Sequence, residues 1–149
     1  MKMYKKLLIL ILLLFTFSSV VNAQGRLWVS KKDLKKELKK NFDLPIEIEV
    51  SDGIETIVQY SNNQNLVLLY SLTPKIEGSK KQWVQYSSIV PLTSSGYAEI
   101  LVYLSEFHSV DPNTWINYYD DGGAVIIEKI VIEEAAYPIF IFEYEPADE

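Results

Sequence analysis

From Ile46 onward, apolar residues recur mostly with a period of two, in short runs cut by turn-forming residues. No other feature constrains the fold as strongly, because alternate residues of a strand point to opposite faces and short links join antiparallel neighbours. Ile46, Ile48 and Val50 alternate with Glu47 and Glu49, which predicts a half-buried strand. Ser51, Asp52 and Gly53 supply a turn, and Ile54–Tyr60 continues as the second arm of a hairpin. After a polar turn at 61–65, Leu66–Leu72 is apolar on both faces and is expected to be a central strand covered on each side. Residues 73–82 form a lysine-bearing loop without a period, and 83–90 give a fourth strand.

Two segments depart from this period. Ser30 can cap a helix over Lys31–Asn41, with Asp33 and Glu37 toward its start, Lys39 and Lys40 near its end, and Leu34, Leu38 and Phe42 forming a narrow apolar stripe. Over 97–107, Tyr97, Ile100, Leu101, Leu104 and Phe107 fall on one helical face. Ala98, Ile100, Val102 and Leu104 also alternate as in a strand, and the preceding Thr93, Ser94, Ser95 and Gly96 favour the helix. Residues 108–113 read as a loop, and strands are expected at 114–119, 124–132 and 137–144, with Asp120, Asp121, Gly122 and Gly123 as a tight turn. Pro138 belongs at a strand start or an edge.

The order helix, four strands, helix, three strands defines an α+β class: an antiparallel β-sheet of about six to seven strands, packed by an N-terminal helix and a second, central helix. There is no internal sequence repeat and no linker. One domain is expected over 24–144, followed by an acidic tail at 145–149.

The N-terminus reads as an export signal. Lys2, Lys5 and Lys6 precede an apolar run at 7–17, and Val21 and Ala23 occupy the small-residue positions of a cleavage site. A bacterial-type signal peptide over 1–23, cleaved after Ala23, directs the chain to the periplasm or the exterior. The 11-residue core is short of the roughly 20 needed to span a bilayer, so no transmembrane span is expected after cleavage. The chain has no cysteine, so an exported fold must be held by burial alone.

Charge is unevenly spread. With three of the 14 basic residues in the leader, the processed chain has 11 against 20 acidic residues, a net charge of minus 9. Six of the 11 are Lys31, Lys32, Lys35, Lys36, Lys39 and Lys40. An acidic body disfavours nucleic acid, which demands clustered cations. The lysines of 31–40 form the wet face of a helix, and a weak contact with anionic lipid is the one alternative use for them.

Catalytic signals are sparse. His108 is the single histidine, beside Ser109 and Asp111, and no nucleophile-elbow motif accompanies it; zinc sites built on paired imidazoles or thiolates are excluded. Asp120/Asp121 and Glu133/Glu134 could meet a hard cation but lack the ligand spacing of a calcium loop. The six glycines fall at turns or at a helix start and form no phosphate loop, so no catalytic residue, metal or cofactor is assigned. Aromatic residues are abundant, and Trp83, Tyr86, Trp115, Tyr118 and Tyr119 are the candidates for contact with a partner or ligand. The leading expectation is an exported, non-enzymatic domain that binds a basic protein through a sheet face or edge, in an immunity-like or envelope accessory role. The alternatives are a small-ligand or glycan module, with a pocket between helices and sheet lined by Trp83, Tyr86 and Trp115, and a small hydrolase using carboxylates.

Overall fold

The computed structural model describes residues 26–147; the segment read as a leader, the cleavage site expected after Ala23 and the last two residues of the acidic tail lie outside them. The described chain runs α1 (Lys31–Asn41), β1 (Glu47–Ser51), β2 (Ile54–Tyr60), β3 (Leu66–Leu72), β4 (Val84–Pro91), α2 (Ser94–Leu104), β5 (His108–Asp111), β6 (Thr114–Tyr118), β7 (Ala124–Ile130) and β8 (Ile139–Glu145). All strands join one antiparallel sheet of eight, in the order β1-β2-β3-β4-β8-β7-β6-β5. The α+β class with two helices stands, and the strand count of six to seven is corrected to eight.

The additional strand is β5, which falls in the segment 108–113 expected to be a loop. It has four residues, all exposed, and a register shift between Ser109 and Asp111, so it carries no burial pattern from which a period could be read. The sheet also has an order that the sequence conceals. A helix followed by a four-stranded meander occurs twice, and the last strands of the two meanders, β4 and β8, pair antiparallel at the centre.

Local chemistry sets the elements. The Ser30 hydroxyl accepts from the Asp33 amide at 3.2 Å and starts α1 where the sequence predicted. The Thr93 hydroxyl accepts from the Gly96 amide at 3.1 Å, and the segment read over 97–107 is a helix from Ser94 to Leu104, starting and ending three residues earlier than expected. Asp52 and Gly53 both take positive φ, 53° and 77°, as a tight hairpin between right-twisted strands demands. Pro138 stands just before β8, where its missing N–H costs the ladder nothing.

Both helices lie on one side of the sheet. Leu34 and Leu38 of α1 and Ile100 and Leu104 of α2 join Leu68, Tyr70, Ile89, Val125, Ile127, Phe140 and Phe142 in a single buried cluster. Tyr97 and Tyr103 of α2 set their rings 6.2 Å from Phe140 and 6.3 Å from Phe142. Two strands deviate from their expected burial. β1 is exposed throughout, with Val50 at 70%, at one edge of the sheet. β3 is apolar on both faces, yet the helices cover one of them only.

The chain enters this core through a buried cation. Arg26, 1% exposed, donates from Nε to Glu37 Oε1 at 2.8 Å and from Nη1 to the Tyr70 hydroxyl at 3.0 Å, and stacks over the Phe42 ring. Burial pushes the Tyr70 phenol up to about 12 against the opposing pull of Arg26. Burial also raises Tyr103 to about 12, with the Tyr119 and Glu106 charges adding to it. A raised phenol keeps its proton longer in the folded state, so its contribution is complete below pH 10 and is lost as pH rises through 12. Alkaline titration followed at the tyrosinate absorbance is therefore expected to show a late fraction that shrinks in Tyr70→Phe and again in Tyr103→Phe; a titration complete near pH 10 in the folded wild type would contradict it.

Candidate functional site

Cross-strand register defines the candidate site, because directly opposed residues of neighbouring strands point to the same face. Opposite the helices, one row crosses all eight strands as Glu49, Thr56, Ser71, Tyr86, Glu143, Ile126, Ile116 and His108. The adjacent row runs Glu47, Val58, Leu69, Ser88, Ile141, Glu128, Thr114 and Asp111. Tyr60, Val67, Val90 and Ile139 extend the apolar ground beside them. Leu69, Tyr86, Val90, Ile116, Ile126 and Ile141 are half-buried and Val58 and Val67 buried, although among the described residues no helix packs on this face.

The charge on this helix-free face has one sign. Glu47, Glu49, Glu128, Glu143 and Asp111 stand in the two rows and are exposed. No strand residue of this face is Lys or Arg; Lys129, the one lysine in a strand, pairs with the core residue Phe140 and so belongs to the helix side. The result is an apolar belt with carboxylates at the β1 edge and again across β8, β7 and β5. Strands lie about 4.8 Å apart, so Glu49 and Glu143 are roughly 19 Å apart across the sheet.

The five aromatic candidates do not converge. Tyr86 and Tyr118 are on the helix-free face, Tyr118 67% exposed. Trp115 opposes Ile127 on the helix side, its ring 6.1 Å from Phe140, and Tyr119 packs against Tyr144. Trp83 lies beyond the end of β4, bridged to Ser30. Trp83, Tyr86 and Trp115 thus line no common pocket. The carboxylate side chain of Asp111 accepts from the Asn113 amide and that of Asp121 from the Gly123 amide, each at 2.8 Å, so both shape turns. Among the described residues no group of three or more His, Cys, Asp or Glu side chains comes together as metal ligands.

Among the described residues, two concavities lie beside α1. One of about 430 Å³ runs under the end of α1, between Lys35, Lys39, Phe42, Pro45, Ile46 and Gln59. Gln59 donates to the Leu44 and Tyr60 carbonyls at 3.0 and 2.9 Å, and its buried Oε1 has no partner among the described residues. The other, about 370 Å³, separates the first turn of α1 from Lys80, Lys81, Gln82 and Trp83. Nearby, Lys31 bonds the Glu55 carboxylate and holds its pKa below the ordinary range, with Lys75 on the second oxygen at 3.4 Å.

No protein-family model, curated protein or solved structure matches this chain.

Proposed function

We propose that this protein is an exported, non-enzymatic binding domain that holds a basic protein partner on its helix-free sheet face. The observation that carries this reading is the pair of cross-sheet rows, apolar at the centre and charged only by carboxylates. An apolar face open to water is costly to keep unless something covers it, and one-signed charge selects what does so. A second copy docked face to face would set Glu47, Glu49, Glu128 and Glu143 against their own kind, an arrangement that like-charge repulsion opposes. A partner with an apolar patch between basic groups satisfies both requirements. Immunity-like or envelope accessory roles both fit such a surface.

The test is a double substitution, Ile141→Lys with Glu143→Lys, at side chains that the core does not use. Wild-type protein is expected to retain a basic protein from envelope extract at low salt and release it at high salt, as screened charge contacts do. The double variant should lose that retention at least tenfold while it still folds, with a wild-type circular dichroism spectrum and one cooperative melting transition. Equal retention by both proteins, or none by the wild type, overturns the reading.

A further inference from the structure

We infer that the pole formed by residues 28–32 and the β3–β4 loop is a contact surface for an anionic lipid bilayer. This inference does not rest on the partner face: the pole is built from different elements and different chemistry.

The pole joins exposed aromatic and aliphatic side chains to clustered lysines. The Trp28 amide donates to the Val84 carbonyl at 2.7 Å, and Ser30 bridges Trp83, which brings the two tryptophans onto adjoining backbone. Trp28 is 47% exposed, Trp83 41%, and Ile76 in the loop 69%. Trp28 also has φ 61°, a left-handed conformation that is a rare outlier for so bulky a residue. Lys32, Lys80 and Lys81 are exposed and line one hollow with Trp83, and Lys31 and Lys75 share Glu55. Asp33 and Glu77 are the exposed carboxylates of the pole and Glu55 is buried, so its balance is five lysines against three acids.

Tryptophan at the boundary between water and hydrocarbon, flanked by lysine, is the composition that membrane interfaces select, because the indole is apolar with one polar tip and the lysine stem reaches back to the headgroups. A free phosphate could use the lysines but leaves Trp28, Trp83 and Ile76 in water. The α1 helix cannot supply the apolar part, since Leu34 and Leu38 are fully buried and Phe42 nearly so. The lipid-contact expectation therefore moves from the helix at 31–40 to its N-terminal pole and the neighbouring loop.

Vesicle sedimentation tests the inference, with wild type and variants sharing one N-terminus, confirmed by intact mass, so that any retained leader contributes equally. Binding to vesicles of phosphatidylcholine with 30% phosphatidylglycerol (~3 in 10 lipids anionic) is expected to exceed binding to pure phosphatidylcholine at least tenfold, with a blue shift of tryptophan emission. Lys32→Gln/Lys80→Gln/Lys81→Gln should remove that preference, and Trp28→Ser should remove the blue shift; Lys36→Gln/Lys40→Gln, on the exposed side of α1, should change neither. Equal binding to both vesicles, or equal loss from the α1 pair, overturns the inference. Tight binding to polyaspartate without a blue shift overturns it in favour of an acidic polymer.

Discussion

Replacing Phe142 by alanine is expected to lower stability by about 3–5 kcal/mol, the usual cost of deleting a fully buried aromatic ring. Phe142 is 0% exposed, opposes Ser87 of β4 and Ile127 of β7, and faces Tyr103 of α2. It stands at the seam where the two helix-plus-meander halves meet. A domain of this size has about 5–15 kcal/mol in total, so the loss is a large fraction of it. Urea unfolding followed by circular dichroism should show one transition moved to lower denaturant, because β4 and β8 form the one ladder between the halves among the described residues. Two separated transitions would mean that each half folds on its own, and a midpoint close to wild type would mean that the seam is not tightly packed.

The fold was legible where a local signal decides. Ser30 with Asp33, Thr93 with Gly96, and Asp52-Gly53 are hydrogen-bond or dihedral requirements that a few residues state by themselves. Burial was legible only as parity. That Leu66–Leu72 has two apolar faces is plain from its sequence, but whether a helix lies on each depends on elements distant in the chain. A geometric estimate supplies what parity lacks. Eight strands at about 4.8 Å make a sheet about 34 Å wide, while two helices of 11 residues are each about 16 Å long and 10 Å across. Side by side they span about 20 Å, less than the width of one face, so the two described helices leave part of the sheet's apolar surface without a helix. The repeated topology stayed hidden because it needs only the same order of periods, and no residue in one half has to match its counterpart.

The same reasoning explains what was seen of the candidate site. Tyr118 and Tyr119 had to point to opposite faces, and they do, one to solvent and one to Tyr144. Trp115 and Tyr86 could not be assigned a side, because that choice is fixed by register through Ile127, Phe142 and Ser87. The carboxylates read from the sequence as a dispersed acidic excess are brought into rows by the same register.

Gly96→Ala is expected to destabilise the protein by about 3 kcal/mol, at the upper end of overpacking costs, although alanine is the better helix former by about 1 kcal/mol. A Cβ on Gly96 would lie 2.1 Å from the Asn65 carbonyl oxygen and 2.9 Å from its carbon, both backbone atoms that no rotamer change can move. That oxygen already accepts from the Leu92 amide at 2.8 Å, and the Asn65 side chain accepts from Thr93 at 3.0 Å. Asn65 closes the β2–β3 turn of the first half, and Gly96 opens the helix of the second, so this close approach is a second tie between the halves beside the β4–β8 ladder. Relief of the clash requires α2 to lift away from the turn, which uncovers Ile100 and Leu104 and weakens the cap that starts the helix. Thermal unfolding of Gly96→Ala beside Ala98→Gly, an exposed position in the same helix, separates packing from propensity. The first should melt well below the second, since Ala98→Gly loses only the helix preference, about 1 kcal/mol. If Gly96→Ala instead melts at or above wild type, α2 is not seated on the turn, and the close packing that joins the two halves through Asn65 does not exist.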